Sequence, residues 1–149
     1  MKYISTLIVA IAIMAVGTVN AQTGSQLNGR SYTYMMKNAD GSGPEIQDQI
    51  TFTTGQAFSQ ELGKTGYNTG SVVERAENGT SNFELTFKKG KNETYKYAGK
   101  VEGSSFYGTI TYVDASGKET AMLFRGMTTE EYLEIRKMKE ANPNTQTPH

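Results

Sequence analysis

Residues 93–126 read ETYKYAGKVEGSSFYGTITYVDASGKETAMLFRG, and this stretch decides the fold. Tyr95, Tyr97 and Val101 share one parity, and Lys96 and Lys100 take the other. A side-chain period of two marks a strand with one buried and one wet face. Glu102-Gly103-Ser104 is a turn cluster, after which Phe106, Ile110 and Tyr112 alternate with Thr109 and Thr111. Gly108 interrupts this second strand, as glycine does where a sheet bends sharply or a second backbone comes close. Asp114-Ala115-Ser116-Gly117 supplies the next turn, with Gly117 suited to positive φ. In the third strand, Met122 and Phe124 oppose Ala121 and Leu123, which leaves its inner face undecided.

Upstream the same grammar repeats. Residues 31–37 form a strand with Tyr32, Tyr34 and Met36 on one face, and residues 38–44 (NADGSGP) form a loop. Ile46, Asp48, Ile50 and Phe52 then alternate with Gln47, Gln49, Thr51 and Thr53; Asp48, on the apolar parity, is expected at a barrel rim. Thr54-Gly55 turns the chain into a short strand over residues 57–62. Residues 63–70 (GKTGYNTG) set three glycines around Tyr67, and a plain surface connection is expected there in preference to a lid over an opening. Residues 72–76 resume β-structure, and Asn78-Gly79 is a strong hairpin signal. Phe83, Leu85 and Phe87 alternate cleanly with Glu84, Thr86 and Lys88, and residues 88–92 (KKGKN) make a solvated hairpin tip.

Beyond Gly126 the period changes. Thr128-Thr129-Glu130-Glu131 fits a capping box. Acidic residues lead and Arg136, Lys137 and Lys139 trail, which suits a helix dipole. Tyr132, Ile135 and Met138 form a narrow apolar stripe expected to lie against the sheet. The count is eight strands and one helix. The fold class is all-β: an eight-stranded antiparallel up-and-down barrel with one short C-terminal α-helix, an open two-sheet sandwich being the alternative.

The chain starts with Lys2, an apolar run from Ile4 to Val16 and Val19-Asn20-Ala21 before Gln22. Basic start, short apolar core and small-x-small site describe a secretory signal peptide, since a spanning helix needs about 20 apolar residues. The expected organisation is a signal peptide at 1–21, a flexible segment at 22–28, a barrel at 29–126, a helix at 127–142 and a disordered tail at 143–149. The expected protein is exported to the periplasm or beyond, monomeric and without a membrane anchor once the leader is cut. It contains no cysteine, so packing and sheet hydrogen bonds alone must hold it. Fifteen Lys and Arg balance fifteen Asp and Glu, which argues against nucleic acid as partner because binding it demands a basic field.

Three local features resemble the lipocalin-like (calycin) small secreted barrels. Gly29-Arg30-Ser31-Tyr32 sits where lipocalins place Gly-x-Trp at the head of the first strand. Residues 100–109 (KVEGSSFYGT) resemble a glycine-led hairpin of bacterial lipocalin-like domains, and Arg125 resembles the arginine that packs over the lipocalin tryptophan. The chain has no tryptophan, and Tyr32 lies one residue further on than that pattern asks. The resemblance implies that Tyr32 and Arg125 close the barrel, through a cation–π contact contributing about 1 kcal/mol.

Chemistry at titratable groups has little to work with. The one histidine is His149, the last residue; with no cysteine either, the usual nucleophile–base pairs cannot be built. No carboxylate cluster has metal-ligand spacing, so no metal site, no cofactor and no enzyme activity is expected. Nine tyrosines and six phenylalanines point instead to binding. The expected barrel lining is Tyr34, Phe52, Phe83, Tyr95, Tyr97, Phe106, Ile110 and Tyr112. Buried tyrosine hydroxyls need partners, so this lining suits a small hydrophobic or amphipathic ligand with polar edges. The alternative is a filled barrel that acts as a protein-interaction or inhibitor module of the cell envelope through the loops at 38–44 and 63–70.

Overall fold

A computed structural model describes residues 25–142; the expected leader at 1–21 and tail at 143–149 lie outside them. Eight strands follow in order: β1 (Ser31–Asn38), β2 (Ile46–Thr53), β3 (Gln56–Ser59), β4 (Gly70–Glu77), β5 (Thr80–Lys89), β6 (Glu93–Glu102), β7 (Ser105–Val113) and β8 (Glu119–Thr128). Each pairs antiparallel with its sequence neighbour, and β8 returns to β1, closing an up-and-down barrel. Alternation fixes the inner face strand by strand. Met122 and Phe124 point inward on β8, while Leu123 is left 44% exposed. The Asn78-Gly79 turn has both residues at positive φ, 50° and 79°, the geometry that matches the twist of its flanking strands.

Closure depends on glycines set where backbones or rings press closest. Gly99 and Gly108 face each other across β6 and β7, and Gly126 lies between Tyr34 and Phe106 on β8. A Cβ on Gly126 would sit 2.2 Å from the Thr33 carbonyl oxygen and 2.5 Å from the Tyr34 Cα. The rings of Phe83 and Phe124 fill the space a side chain at Gly99 would need. This is the glycine kink with aromatic cover that curved sheets use.

Three expectations about local structure are corrected. Residues 57–62 are not one strand: β3 ends at Ser59 and a five-residue helix, α1 (Gln60–Lys64), follows. The Ser59 hydroxyl caps it, accepting from the Leu62 amide at 3.0 Å, and Leu62 turns into the barrel mouth. Residues 63–70 are therefore more than a surface connection. The Tyr67 amide donates to the Leu62 carbonyl and the Asn68 amide to the Lys88 carbonyl, which draws the segment over the upper end. The third correction concerns the C-terminal helix, α2 (Thr129–Ala141), whose N-cap Thr128 makes no side-chain capping bond. Its start is tied by a 3.1 Å hydroxyl pair, Thr33 to Thr129, and Tyr132 donates to Gln47 at 3.1 Å. The stripe does not lie flat, since Met138 is 66% exposed and α2 has no buried residue.

The lower end is closed by the chain entering β1. Leu27 is buried there, and the Glu74 carboxylate holds the segment by accepting from the Ser25 hydroxyl, the Gln26 amide and the Ser81 hydroxyl. Burial works to raise the Glu74 pKa, but these donors outweigh it and leave the group below the usual carboxylate range.

Candidate functional site

The lumen is packed with rings. Phe106 on β7 stacks on Tyr32 of β1 at 4.7 Å and on Phe83 of β5 at 5.4 Å, and meets Phe124 of β8 at 4.8 Å. It also meets Tyr34 at 5.4 Å and Phe52 of β2 at 6.1 Å. One side chain thus touches rings from strands around the circumference, at separations that leave no layer between them. Of the expected lining, Tyr34, Phe52, Phe83, Tyr97, Phe106 and Ile110 are buried inside the barrel. Tyr95 and Tyr112 are only partly buried. They stack at 4.5 Å, and Tyr67 meets Tyr95 edge-on at 5.2 Å. The Lys89 ammonium lies 5.6 Å over the Tyr67 ring. These residues belong to the cap that shuts the upper mouth.

The Tyr34 and Tyr97 hydroxyls find partners within the chain. Tyr34 donates to the Asp48 carboxylate at 2.8 Å. Its single proton is thereby used, so the Tyr97 hydroxyl, 2.9 Å away, donates to Tyr34. Asp48 also accepts from the Ser59 hydroxyl at 2.6 Å, the Gln49 amide at 2.6 Å and the Glu61 amide at 3.0 Å. Asp48 is therefore not a rim residue. It is 2% exposed, beneath α1, and joins the lumen to the cap. A buried carboxylate is what a catalytic reading asks for, but here both oxygens are engaged by the protein's own donors.

Tyr32 and Arg125 lie on opposite sides of the barrel wall, so the closing contact implied by resemblance is not made. Tyr32 is wholly buried, whereas Arg125 is exposed on the outside of β8 between Met35 and Tyr107. The Tyr32 hydroxyl has no hydrogen-bond partner in range. Burial raises its pKa, and the nearby Arg30 guanidinium offsets only part of the rise.

Burial likewise raises the pKa of Tyr34, reinforced by Tyr97 and the Asp48 charge, and raises that of Tyr97. The folded state therefore keeps three phenolic protons that the unfolded chain releases above about pH 10. Their contribution is complete below that pH and is lost as pH rises, at about 1.4 kcal/mol per pH unit for each group. Alkaline titration should show tyrosinate absorbance from these groups appearing together with loss of the far-UV sheet signal. Their ionisation in a barrel with intact circular dichroism would contradict the buried network.

The outer wall around Arg125 is where apolar groups reach solvent. Two concavities, of about 450 and 540 Å³, share Met35, Tyr107 and Arg125; Met127 extends one and Leu123 the other. Arg125 forms no ion pair or hydrogen bond among the described residues. Lys37 and Glu45 line the second concavity beside the loop at 38–44, whose residues 39–44 are all exposed. That loop is ordered by internal bonds: Asn38 Nδ2 donates to Ser42 Oγ at 3.1 Å, and the Ser42 amide donates to Asp40 at 2.8 Å. Sequence reading missed this wall because it looked for the site inside. The parity of Met122, Phe124 and Gly126 was the signal that sends Arg125 outward.

No protein-family model, curated protein or solved structure matches the chain.

Proposed function

We propose that this is an exported, lipocalin-like barrel with a filled interior that binds a protein partner through its outer surface and catalyses no reaction. The observation that carries the reading is the ring cluster around Phe106, which occupies the space a carried ligand would need. The wall around Arg125 supplies the contact chemistry. Arg125, Met35, Met127 and Tyr107 are of the residue types enriched in protein interfaces over the rest of the surface, and Lys37, Glu45, Glu102 and Glu131 supply a charged rim. The loop at 38–44 borders the same wall.

Titration with hydrophobic fluorescent probes tests the interior. No saturable uptake by the folded chain is expected, and one-to-one saturable uptake would restore the carrier reading. Capture from a native envelope extract tests the wall. A partner retained by the unaltered protein and lost with Arg125→Glu supports it; equal retention by both would remove this wall from the reading.

A further inference from the structure

The barrel has a seam. β3 pairs with β4 at two positions, Gln56 with Ser71 and Ala57 with Gly70, whereas β5 follows β4 from Ser71 to Glu77. The lower half of β4 thus has a strand on one side only. In an antiparallel strand, the N–H and C=O of one residue point to the same side and successive residues point to opposite sides. The Val72 amide donates to the Gly55 carbonyl at 3.0 Å, so even-numbered residues point away from β5. Glu74 and Ala76 share that parity, and their backbone groups find no backbone partner among the described residues. They face a notch of about 290 Å³ whose lining includes Leu27, Phe52, Gly55 and Val72.

Unpaired edge groups are a template for an added strand. Leu27, Phe52 and Val72 give the floor an apolar patch, rimmed by Ser25, Asn28, Thr53 and Thr54, and the Glu74 carboxylate is held by Ser25, Gln26 and Ser81. On the outer face an added strand would meet Val73, 59% exposed, and Arg75, which forms no ion pair among the described residues. A second copy fits poorly. Antiparallel pairing through Glu74 and Ala76 sets Arg75 against its own counterpart, and like charges directly opposite are destabilising. We infer that the lower edge of β4 is a strand-addition site for an extended peptide of a partner protein. The peptide carries β-branched apolar residues at its two inward positions and an acidic residue between them, opposite Arg75. The seam lies across the barrel from Arg125, so this inference and the reading of that wall stand or fall separately.

The probe is a blocked peptide, Lys-Val-Asp-Val-Ile, with Lys-Val-Arg-Val-Ile as control, added to the isotopically labelled full chain. The expected result is saturable movement of the Glu74 and Ala76 amide signals, with the acidic peptide bound about fivefold tighter than the basic one. Arg75→Glu should reverse that preference. Ala76→Pro removes an N–H that points into the notch and leaves the β4–β5 ladder intact, so it should keep the fold and weaken binding about fivefold or more. Should Ala76→Pro fail to fold, the charge reversal at Arg75 still decides. Four results would overturn the inference: no saturable shift, equal binding by Ala76→Pro, the two amides protected from exchange in the peptide-free monomer, or their protection growing with self-association. The third would mean that the chain's own residues fill the seam, and the fourth that a second copy does.

Discussion

Gly126→Ala is expected to prevent the barrel from closing. The added methyl would stand 2.2 Å from the Thr33 carbonyl oxygen and 2.5 Å from the Tyr34 Cα, both backbone atoms in a strand hydrogen-bonded on each side. Neither can turn aside as a side chain can. Relief requires β1 and β8 to separate by an appreciable fraction of an ångström, at the pairing that joins the two ends of the sheet. Ordinary overpacking costs about 1–3 kcal/mol; here the whole β1–β8 pairing must shift, and a loss of about 4 kcal/mol or more is expected. Against a total stability of about 5–15 kcal/mol, that leaves a marginal or unfolded chain. Gly108→Ala should behave similarly, because its methyl would meet the Ala98 carbonyl oxygen at 2.3 Å. Gly99→Ala should cost less, about 1–3 kcal/mol: what it meets are side-chain atoms, the Cζ ends of the buried Phe83 and Phe124 rings, which a change of χ1 can shift where a backbone carbonyl cannot. Denaturant midpoints for the three variants check the order, and a Gly126→Ala protein as stable as its parent would show that the two strands need not approach so closely.

That ordering bears on what a sequence can reveal. The strands of this barrel are legible because each buries one face, and Phe83, Leu85 and Phe87 or Tyr95 and Tyr97 announce that face by parity alone. Gly108 could be read as a point of close approach for the same reason. α1 could not be read, since five residues are too few to display a helical period and its N-terminus is held partly by Asp48, eleven residues before the Ser59 cap. The contents of the lumen were equally hidden. Inward tyrosines suggested a ligand because their hydroxyls need partners, yet Tyr97, Tyr34, Asp48 and Ser59 supply one another. Such reciprocity follows from three-dimensional register, which alternation does not encode. The open edge of β4 has the same origin: it exists because β3 starts only at Gln56, after the Thr54-Gly55 turn, and only the pairing shows how much of β4 is then left bare.

Asp48→Ala should release the cap before it unfolds the barrel. Removing the carboxylate leaves the Tyr34 and Ser59 hydroxyls and the Gln49 and Glu61 amides without their acceptor in a site 2% exposed. One stranded buried donor costs about 1–3 kcal/mol, so a loss of about 3–5 kcal/mol is expected after the local groups partly re-pair. Ser59 can still cap α1 through the Leu62 amide, but the buried tie from α1 to β2 is gone and the exposed Gln60-to-Gln49 side-chain bond, 3.1 Å, is left to hold them. Asp48→Asn is the informative companion. Its amide oxygen keeps an acceptor for the backbone, while its NH₂ faces hydroxyls that must reorient, Tyr34 turning its proton toward Tyr97. A smaller loss, about 1–2 kcal/mol, should follow. Hydrogen exchange locates the effect: in Asp48→Ala, amides of residues 60–70 should lose protection well before those of β6 and β7. If protection falls evenly across the sheet, Asp48 supports the barrel as a whole, and the cap is no separate element.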